Sequence, residues 1–490
     1  MASCKRSRTK TGRMHGRAGI AALAAGLSLA VPQLSLAQTA TVADQTTDGT
    51  ASTTADSNIA ATGDAAVTDP ATTGSTPATD LLQAGDDATE FRPNTAVTRE
   101  NLRQNSTDEL RLRSAEEDPT GVHLGTMILR PTISQGLQVE RKKTGTIKET
   151  STYSQTELKG VLTSDWSRHQ LTVTGTGTLE KVLSGPNNEG SGASVDAELR
   201  LDLANETTAT FNAGYDFSRE DPDDDEAVAN AKEQYAIHRF DGGAEVDHAF
   251  GRLRGTVGLS GSRWIYTDAK LADGSTLSLS DRDRNYGALR LRLGYEVSPA
   301  LIPFVEASLG RLQYDQRRDS SGYQRSADVY AAKAGVAVDL REKLRGELAF
   351  GYTEERFDDA RLDDIQALTV DGSLGWSPRD GTDVKLGLST SLDPSSTAGT
   401  SGSVVYGTNA SISQQVRDNL VATLTGETTW TRYPGQSDGN STTYGAKAEL
   451  AYSLNRYFAL TGGVGYEYTD RRTSADTDTL RATIGVSAKR

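Results

Sequence analysis

What most constrains this chain is a two-residue period of polarity that persists over most of its length. In YGAKAELAYSLNRYFALTGGVGYEYTD, residues 444–470, Tyr444, Ala446, Ala448, Leu450, Tyr452 and Leu454 share one parity. Gly445, Lys447, Glu449, Ala451, Ser453 and Asn455 take the other, and past Asn455-Arg456 the alternation resumes with Phe458, Leu460, Val464, Tyr466 and Tyr468 together. Distant runs obey the same rule. Val195, Ala197, Leu199, Leu201 and Leu203 oppose Asp196, Glu198, Arg200 and Asp202. Tyr330, Ala332, Ala334, Val336, Val338 and Leu340 oppose Lys333 and Asp339, and Leu344, Leu348, Phe350 and Tyr352 oppose Arg345 and Glu347. Extended backbone turns successive side chains to opposite faces, so each run reads as a strand with one wholly apolar side.

The runs are roughly ten to fourteen residues long, against about five or six for strands of soluble proteins and about 9–11 for a tilted strand crossing a bilayer. Tight turns (DWSRHQ, LANET, HAFGR, VSPAL, LREKL, SPRDG, VRDN, LNRY) alternate with longer polar stretches. Among the latter are SREDPDDDEAVANAKEQ, YTDAKLADGSTLSLSDR, DQRRDSSGYQRS and TRYPGQSDGNST. A soluble sandwich would alternate in polarity too, but with shorter strands and without this long-short rhythm of connections. Tyr444 and Tyr452, like Phe458 and Tyr466, lie eight residues apart on one face. Eight tilted strand residues climb roughly 20 Å, close to the ~25 Å apolar band between aromatic girdles of outer-membrane barrels. Hydrocarbon offers no partner to backbone N–H and C=O groups, so such a sheet must close on itself. The expected fold is all-β: a transmembrane antiparallel up-and-down barrel of about 18 strands, with 16 acceptable, over residues 121–490, starting near His123. With short turns in the periplasm, both chain ends lie there as well.

The first 37 residues form a separate object. Lys5, Arg6, Arg8, Lys10, Arg13 and Arg17 precede the apolar GIAALAAGLSLAV and the small-residue site Ser35-Leu36-Ala37, the layout of a secretory signal peptide. Cys4 is the sole cysteine, so disulfide and thiol chemistry leave with that segment. Losing those six bases takes the formal charge from −14 to −20, which argues against nucleic acid as a partner. Residues 38–80 hold no aromatic and no basic residue, and residues 38–120 are expected to be a mostly disordered periplasmic segment.

A barrel of this size is wide enough for an aqueous channel. Parity sends Asp196, Glu198, Asp202, Asp216, Asp241, Glu245 and Asp247 inward with Arg200 as their one base. Arg254, Arg290 and Arg292 follow on the next two runs, and Lys333, Arg345, Glu347, Lys447 and Glu449 complete the expected pore-lining set. An acidic arc beside a basic cluster would set a field across the lumen that sorts solutes by charge. His123, His169, His238 and His248 are scattered, with no triad or metal-ligand spacing, so no catalytic, cofactor or metal residue is assigned and the chain is not read as an enzyme. Trp264 is placed inward near the external rim.

The signal peptide, the polar tail, the long series of hairpins and the entry segment GVHLGTMILRPTISQGLQVERK, with its internal Pro131, resemble outer-membrane proteins of the beta-barrel porin 2 type. Val139-Glu140-Arg141 stands where such first strands end on Tyr, Asp or Asn. The chain ends TIGVSAKR rather than on an aromatic, while Leu480, Ala482, Ile484, Val486 and Ala488 keep the lipid-facing parity. The resemblance implies outer-membrane lipid and the barrel-assembly machinery as partners and passage of small hydrophilic solutes through the lumen. Two alternatives stand beside it: export of a surface polysaccharide, or a filled structural or adhesion barrel. No surface is assigned to a subunit contact. Membrane fractionation should place the protein in the outer membrane. On gels it should migrate faster unboiled than boiled; identical migration would remove the barrel.

Overall fold

The computed structural model describes residues 120–490 except 187–189, 204–205, 221–226, 229, 341–342, 396–398 and 435–438. The signal peptide, the tail up to residue 119 and the acidic DPDDDE therefore lie outside the described residues. Eighteen long strands make the wall. The first six are β1 (Met127–Thr144), β2 (Ile147–Ser164), β3 (Gln170–Ser184), β4 (Gly192–Asp202), β5 (Thr207–Arg219) and β6 (Ala236–Phe250). Then come β7 (Leu253–Tyr266), β8 (Arg284–Tyr295), β9 (Leu301–Tyr314), β10 (Ala327–Asp339), β11 (Leu344–Phe357) and β12 (Ile365–Arg379). The series ends with β13 (Thr382–Pro394), β14 (Gly402–Arg417), β15 (Leu420–Arg432), β16 (Ser441–Ser453), β17 (Phe458–Arg471) and β18 (Thr477–Lys489). Each pairs antiparallel with the next. β18 returns to β1 from Thr132↔Lys489 to Thr144↔Thr477, which closes the cylinder.

The alternation does what it requires. Ile133, Val195, Val257, Leu293, Val305, Leu348, Phe350, Leu386, Leu424, Leu450, Val464 and Ile484 are all exposed on the outside, where they meet lipid. Phe250, Tyr295, Trp376, Tyr452 and Phe458 ring the short-turn end, and Tyr330, Trp430, Tyr444 and Tyr466 the long-loop end. The eight tight turns all fall at one end. At Gly251 (φ 68°) and Gly381 (φ 75°) the two-residue turns need the left-handed conformation that glycine supplies most cheaply.

Three expectations need correction. The chain does not enter the wall near His123: Val122–Leu124 pairs back onto Met127–Leu129, and the barrel begins at Met127. The long-short rhythm also fails twice at the long-loop end: β1 and β2 meet through Gly145 and Thr146 alone, and β17 and β18 through residues 472–476, no longer than the tight turns 165–169 and 296–300. Third, the lumen is not wet throughout. Ile237, Trp264, Tyr266, Tyr286, Leu312, Tyr314, Ala327 and Val329 have the inward parity of their strands, yet they form a buried apolar cluster with Tyr235, Ala269 and Leu279 from the connecting loops. The cause is that the long loops fold inward. Ala231–Glu233, Ala269–Leu271 and Thr276–Leu277 make a small sheet of their own, and residues from these loops pack over the inner wall of β6–β10. Burial of that apolar surface holds them there.

The loop at 315–326 locks this cover. Asp319 accepts hydrogen bonds from the backbone N–H groups of Ser321, Tyr323 and Gly399, each at 2.9 Å, and pairs with Arg325 at 3.3 Å. Arg325 donates to the carbonyls of Ser395 and Asp281, each at 2.9 Å, so one buried ion pair ties three connections together. Asp359 adds a fourth, accepting from Gln324 N–H (3.1 Å) and Arg361 (2.6 Å). The Arg361 guanidinium, with the Gln324 N–H, holds the Asp359 carboxyl well below the ordinary carboxylate range. This clasp therefore keeps its charge in mild acid and is lost only as pH falls through the depressed value. Breaking the Asp319–Arg325 pair from one side leaves a buried charge uncompensated, a loss of roughly 3–5 kcal/mol. Asp319→Ala should expose residues 315–326 and 395–401 to limited proteolysis while heat-modifiable migration of the barrel stays unchanged.

Candidate permeation pathway

Every residue of the expected pore-lining set lies on the face opposite the exposed leucines. Asp196, Glu198, Arg200 and Asp202 sit on β4, Asp216 on β5, and Asp241, Glu245 and Asp247 on β6. Arg254 follows on β7, Arg290 and Arg292 on β8, Lys333 on β10, Arg345 and Glu347 on β11, and Lys447 and Glu449 on β16. The register then shows which of them meet.

The acids and bases do not form separate fields. Arg290 pairs with Glu245 across β7 and with Glu306 at 3.4 Å, while Arg292 pairs with Glu306 at 2.6 Å and with Glu347 at 2.9 Å. Lys333 meets Asp371 at 2.9 Å, Arg345 meets Asp339 at 3.5 Å, and Arg254 meets Glu296 at 2.7 Å. The basic cluster thus lies inside a ladder of carboxylates. Its guanidiniums are largely covered, and Arg292 also lies 4.0 Å over the Phe304 ring. Arg200 is not the one base of the acidic arc: Arg239 shares its parity and pairs with Asp241 at 2.6 Å, while Arg200 pairs with Asp202 at 3.3 Å. Asp247 accepts from Thr256 Oγ1 at 2.5 Å.

A second, smaller network straddles the closing seam. Arg481 pairs with Glu140 at 2.6 Å and Glu467 at 3.4 Å, and Lys447 pairs with Glu449 at 2.7 Å. Between the two networks the inner face is mostly hydroxyl. Thr172, Thr174 and Thr176 climb β3, with Thr176 bonded to Ser194 (2.6 Å). Thr423 meets Ser413 and Thr443 meets Thr469, both at 3.1 Å. Glu306, Asp371, Glu467 and Arg481 join the lining beyond the expected set. Glu306 was recoverable, since Val305 and Leu309 flank it on the lipid-facing parity, but Pro303 and Gly310 blur that run.

Trp264 is inward and near the long-loop end, but it is buried beneath the loops with the Arg284 guanidinium 5.1 Å over its ring. The histidines are far apart. His169 Nδ1 accepts from Asp202 N–H, His248 Nδ1 bonds Thr207 Oγ1, and His238 Nδ1 bonds the Tyr215 hydroxyl. Among the described residues no three His, Asp or Glu side chains gather as a metal site.

A family model described as Putative beta-barrel porin 2 matches residues 115–490. Among solved structures, OccK11 (OpdR) of Pseudomonas aeruginosa is similar at 12% identity, covering 74% of this chain and 96% of that one with a TM-score of 0.37. OpdK of the same organism matches at 12% identity over 74% and 99%, with a TM-score of 0.36. The siderophore receptor PiuA of Acinetobacter baumannii matches at 10% identity over 76% and 82%, with a TM-score of 0.41. The search of curated proteins gave no match.

Glu306 is the shared acceptor of the larger network, so Glu306→Gln strands two covered guanidiniums. The expected cost is about 3 kcal/mol, at the low end for a broken buried pair because Glu245 and Glu347 remain. The denaturant midpoint of the folded barrel in detergent checks it; an unchanged midpoint would mean that the network contributes nothing to stability.

Proposed function

The chain belongs to the Putative beta-barrel porin 2 family, and from that premise we propose that residues 127–489 form a passive channel for small hydrophilic solutes across the bacterial outer membrane. The observation that supports this reading most directly is the lining: inside a closed wall that is apolar outside, hydroxyls and paired charges replace a packed apolar core over the middle of the barrel. The pathway follows the inner faces of β14–β18 and β1–β5, opposite the loop cover. The long connections face the exterior and the short turns and both ends of the barrel face the periplasm, with the barrel-assembly machinery inserting it from that side. Paired charges give the lining polarity without a strong net sign, so selectivity is mild, and the chemistry of the protein is transport and not catalysis.

A filled structural barrel is the second reading, favoured by the inward-folded loops and their buried core. Polysaccharide export has less support, because the inward Trp264 is covered and offers no stacking face to a sugar. Proteoliposomes decide. Swelling with small neutral sugars supports the channel, and its absence supports the filled barrel. In planar bilayers, Arg290→Ala with Arg292→Ala uncovers three carboxylates and should raise cation preference severalfold. Unchanged conductance and ion preference would place the ladder beyond electrostatic reach of the solute path along the facing wall.

A further inference from the structure

The ladder between β12 and β13 stops early. β12 stays bonded to β11 up to Glu355↔Ile365, but its ladder with β13 runs only from Arg379↔Thr382 to Gly372↔Leu388. β13 nonetheless keeps its other partner, β14, up to Pro394↔Gly402. Side-chain bonds replace the missing rungs. Thr390 Oγ1 accepts from Val370 N–H (2.9 Å) and donates to Val370 O (3.1 Å), and Thr390 N–H donates to Asp371 Oδ1 (2.9 Å). Asp371 has lumen parity and pairs with Lys333, so the β13 backbone has passed to the inner side of β12.

Packing agrees. Leu392 and Val404 share the parity of the lipid-facing Leu386, Leu388 and Ile412, yet both are buried in one cluster with Ile365 and Ala367, which have lumen parity. The outer ends of β13 and β14 therefore lie inside β12, two edges overlapping as in a lap joint. Beside the overlap is a cavity of about 540 Å³, lined by Gln366, Val404, Tyr406, Arg432, Tyr433, Pro434 and Asn440. Gln366 and Arg432 have lipid-facing parity and are exposed, and Tyr406 pairs with Trp430 of the long-loop girdle. The notch thus opens onto lipid at head-group height. Tyr406, Tyr433 and Pro434 form its wall, and its rim carries the Arg432 guanidinium and two carboxamides: Gln366 Nε2 donates to Glu354 (3.1 Å), and Asn440 Oδ1 accepts from Tyr433 N–H (2.9 Å), which leaves Asn440 Nδ2 to face a ligand. Leu368, 73% exposed, extends the apolar surface alongside.

We propose that this notch binds a phosphate-bearing lipid of the outer leaflet, its phosphate held by the Arg432 guanidinium and Asn440 Nδ2 and an acyl chain lying along Tyr406 and Leu368. A guanidinium gives phosphate a forked, charge-assisted contact, and the flanking tyrosines supply the amphipathic surface suited to a bilayer interface. The inference rests on the orientation proposed above, with long loops outside, and not on solute passage. A sealed barrel can still hold lipid, and a leaking one can lack it.

Native mass spectrometry of the full mature barrel in mild detergent, titrated with lipid A, tests it. One adduct per barrel is expected. Arg432→Gln and Tyr406→Ala should each weaken it about tenfold, the scale of one charge-assisted hydrogen bond or one buried aromatic contact. Arg432→Lys should retain most of the binding. All variants are first checked for heat-modifiable migration, and Asn440→Asp, which keeps the acceptor for Tyr433 N–H but sets a carboxylate beside the phosphate and should weaken binding likewise, serves where either fails to fold. Dephosphorylated lipid A should bind no better than the variants do, and inorganic phosphate should not compete. Equal binding by wild type and variants, equal binding of the dephosphorylated lipid, or competition by free phosphate would each overturn the proposal.

Discussion

A peptide group in hydrocarbon has nowhere to send its hydrogen bonds except another strand. That one constraint accounts for most of the architecture. It sets the length of the strands, demands antiparallel neighbours all the way round, and makes the pairing of β1 with β18 as obligatory as any hairpin. It also explains the form of the exception. Where β13 leaves β12, the rungs are replaced by the Thr390 hydroxyl and the Asp371 carboxylate, polar groups that serve Val370 and Thr390 in place of a strand. The wall parts near its long-loop end, where the aromatic girdle marks the edge of the hydrocarbon.

Closing the sheet creates an interior that has to be filled with side chains or with water. This barrel divides the task. On β6–β12 the charges meet at 2.6–3.5 Å, some on adjacent strands and some across one or two strands between, and loops cover the long-loop end of the same wall. Removing an ion from bulk water is expensive unless a counter-ion replaces the lost hydration. Interleaving acids with bases meets that cost along this wall. The separate acidic and basic sectors suggested by reading one strand at a time would leave like charges adjacent. The register brings Glu306 between Arg290 and Arg292 and avoids it.

The strands, their number and their outward face were legible because a period of two in side-chain polarity maps directly onto two faces of a sheet. The lumen charges were legible as a set for the same reason. Their partners were not, since pairing depends on register between neighbouring strands and on reach across a third, as with Arg290 and Glu245. Parity also fixes a side chain relative to its own strand but not that strand relative to the barrel. Leu392 and Val404 obey the lipid-facing parity and are nevertheless buried, because the strands carrying them have moved inward. The loops misled in a different way. Their many acids and glycines suggested solvated connections, whereas a few residues such as Tyr235, Ala269 and Leu279 were enough to anchor them against the wall.

These departures lie in one sector. The long connections after β5, β7 and β9, the buried Asp319–Arg325 pair and the displaced ends of β13 and β14 all belong to the long-loop side of β6–β14, and Phe357 packs against both of its apolar clusters. The opposite wall stays paired from β14 through β18 and β1 to β3, with single irregularities at Gln415–Arg417 and Thr152–Tyr153, lined with threonine and serine and joined at its long-loop end by the bare Gly145-Thr146 turn. A cylinder with one covered wall and one bare wall confines any aqueous route to the bare side. It also leaves the covered side free to shape its outer surface, and the notch at Arg432 lies at that boundary, where a strand given up by the wall opens space for something other than water.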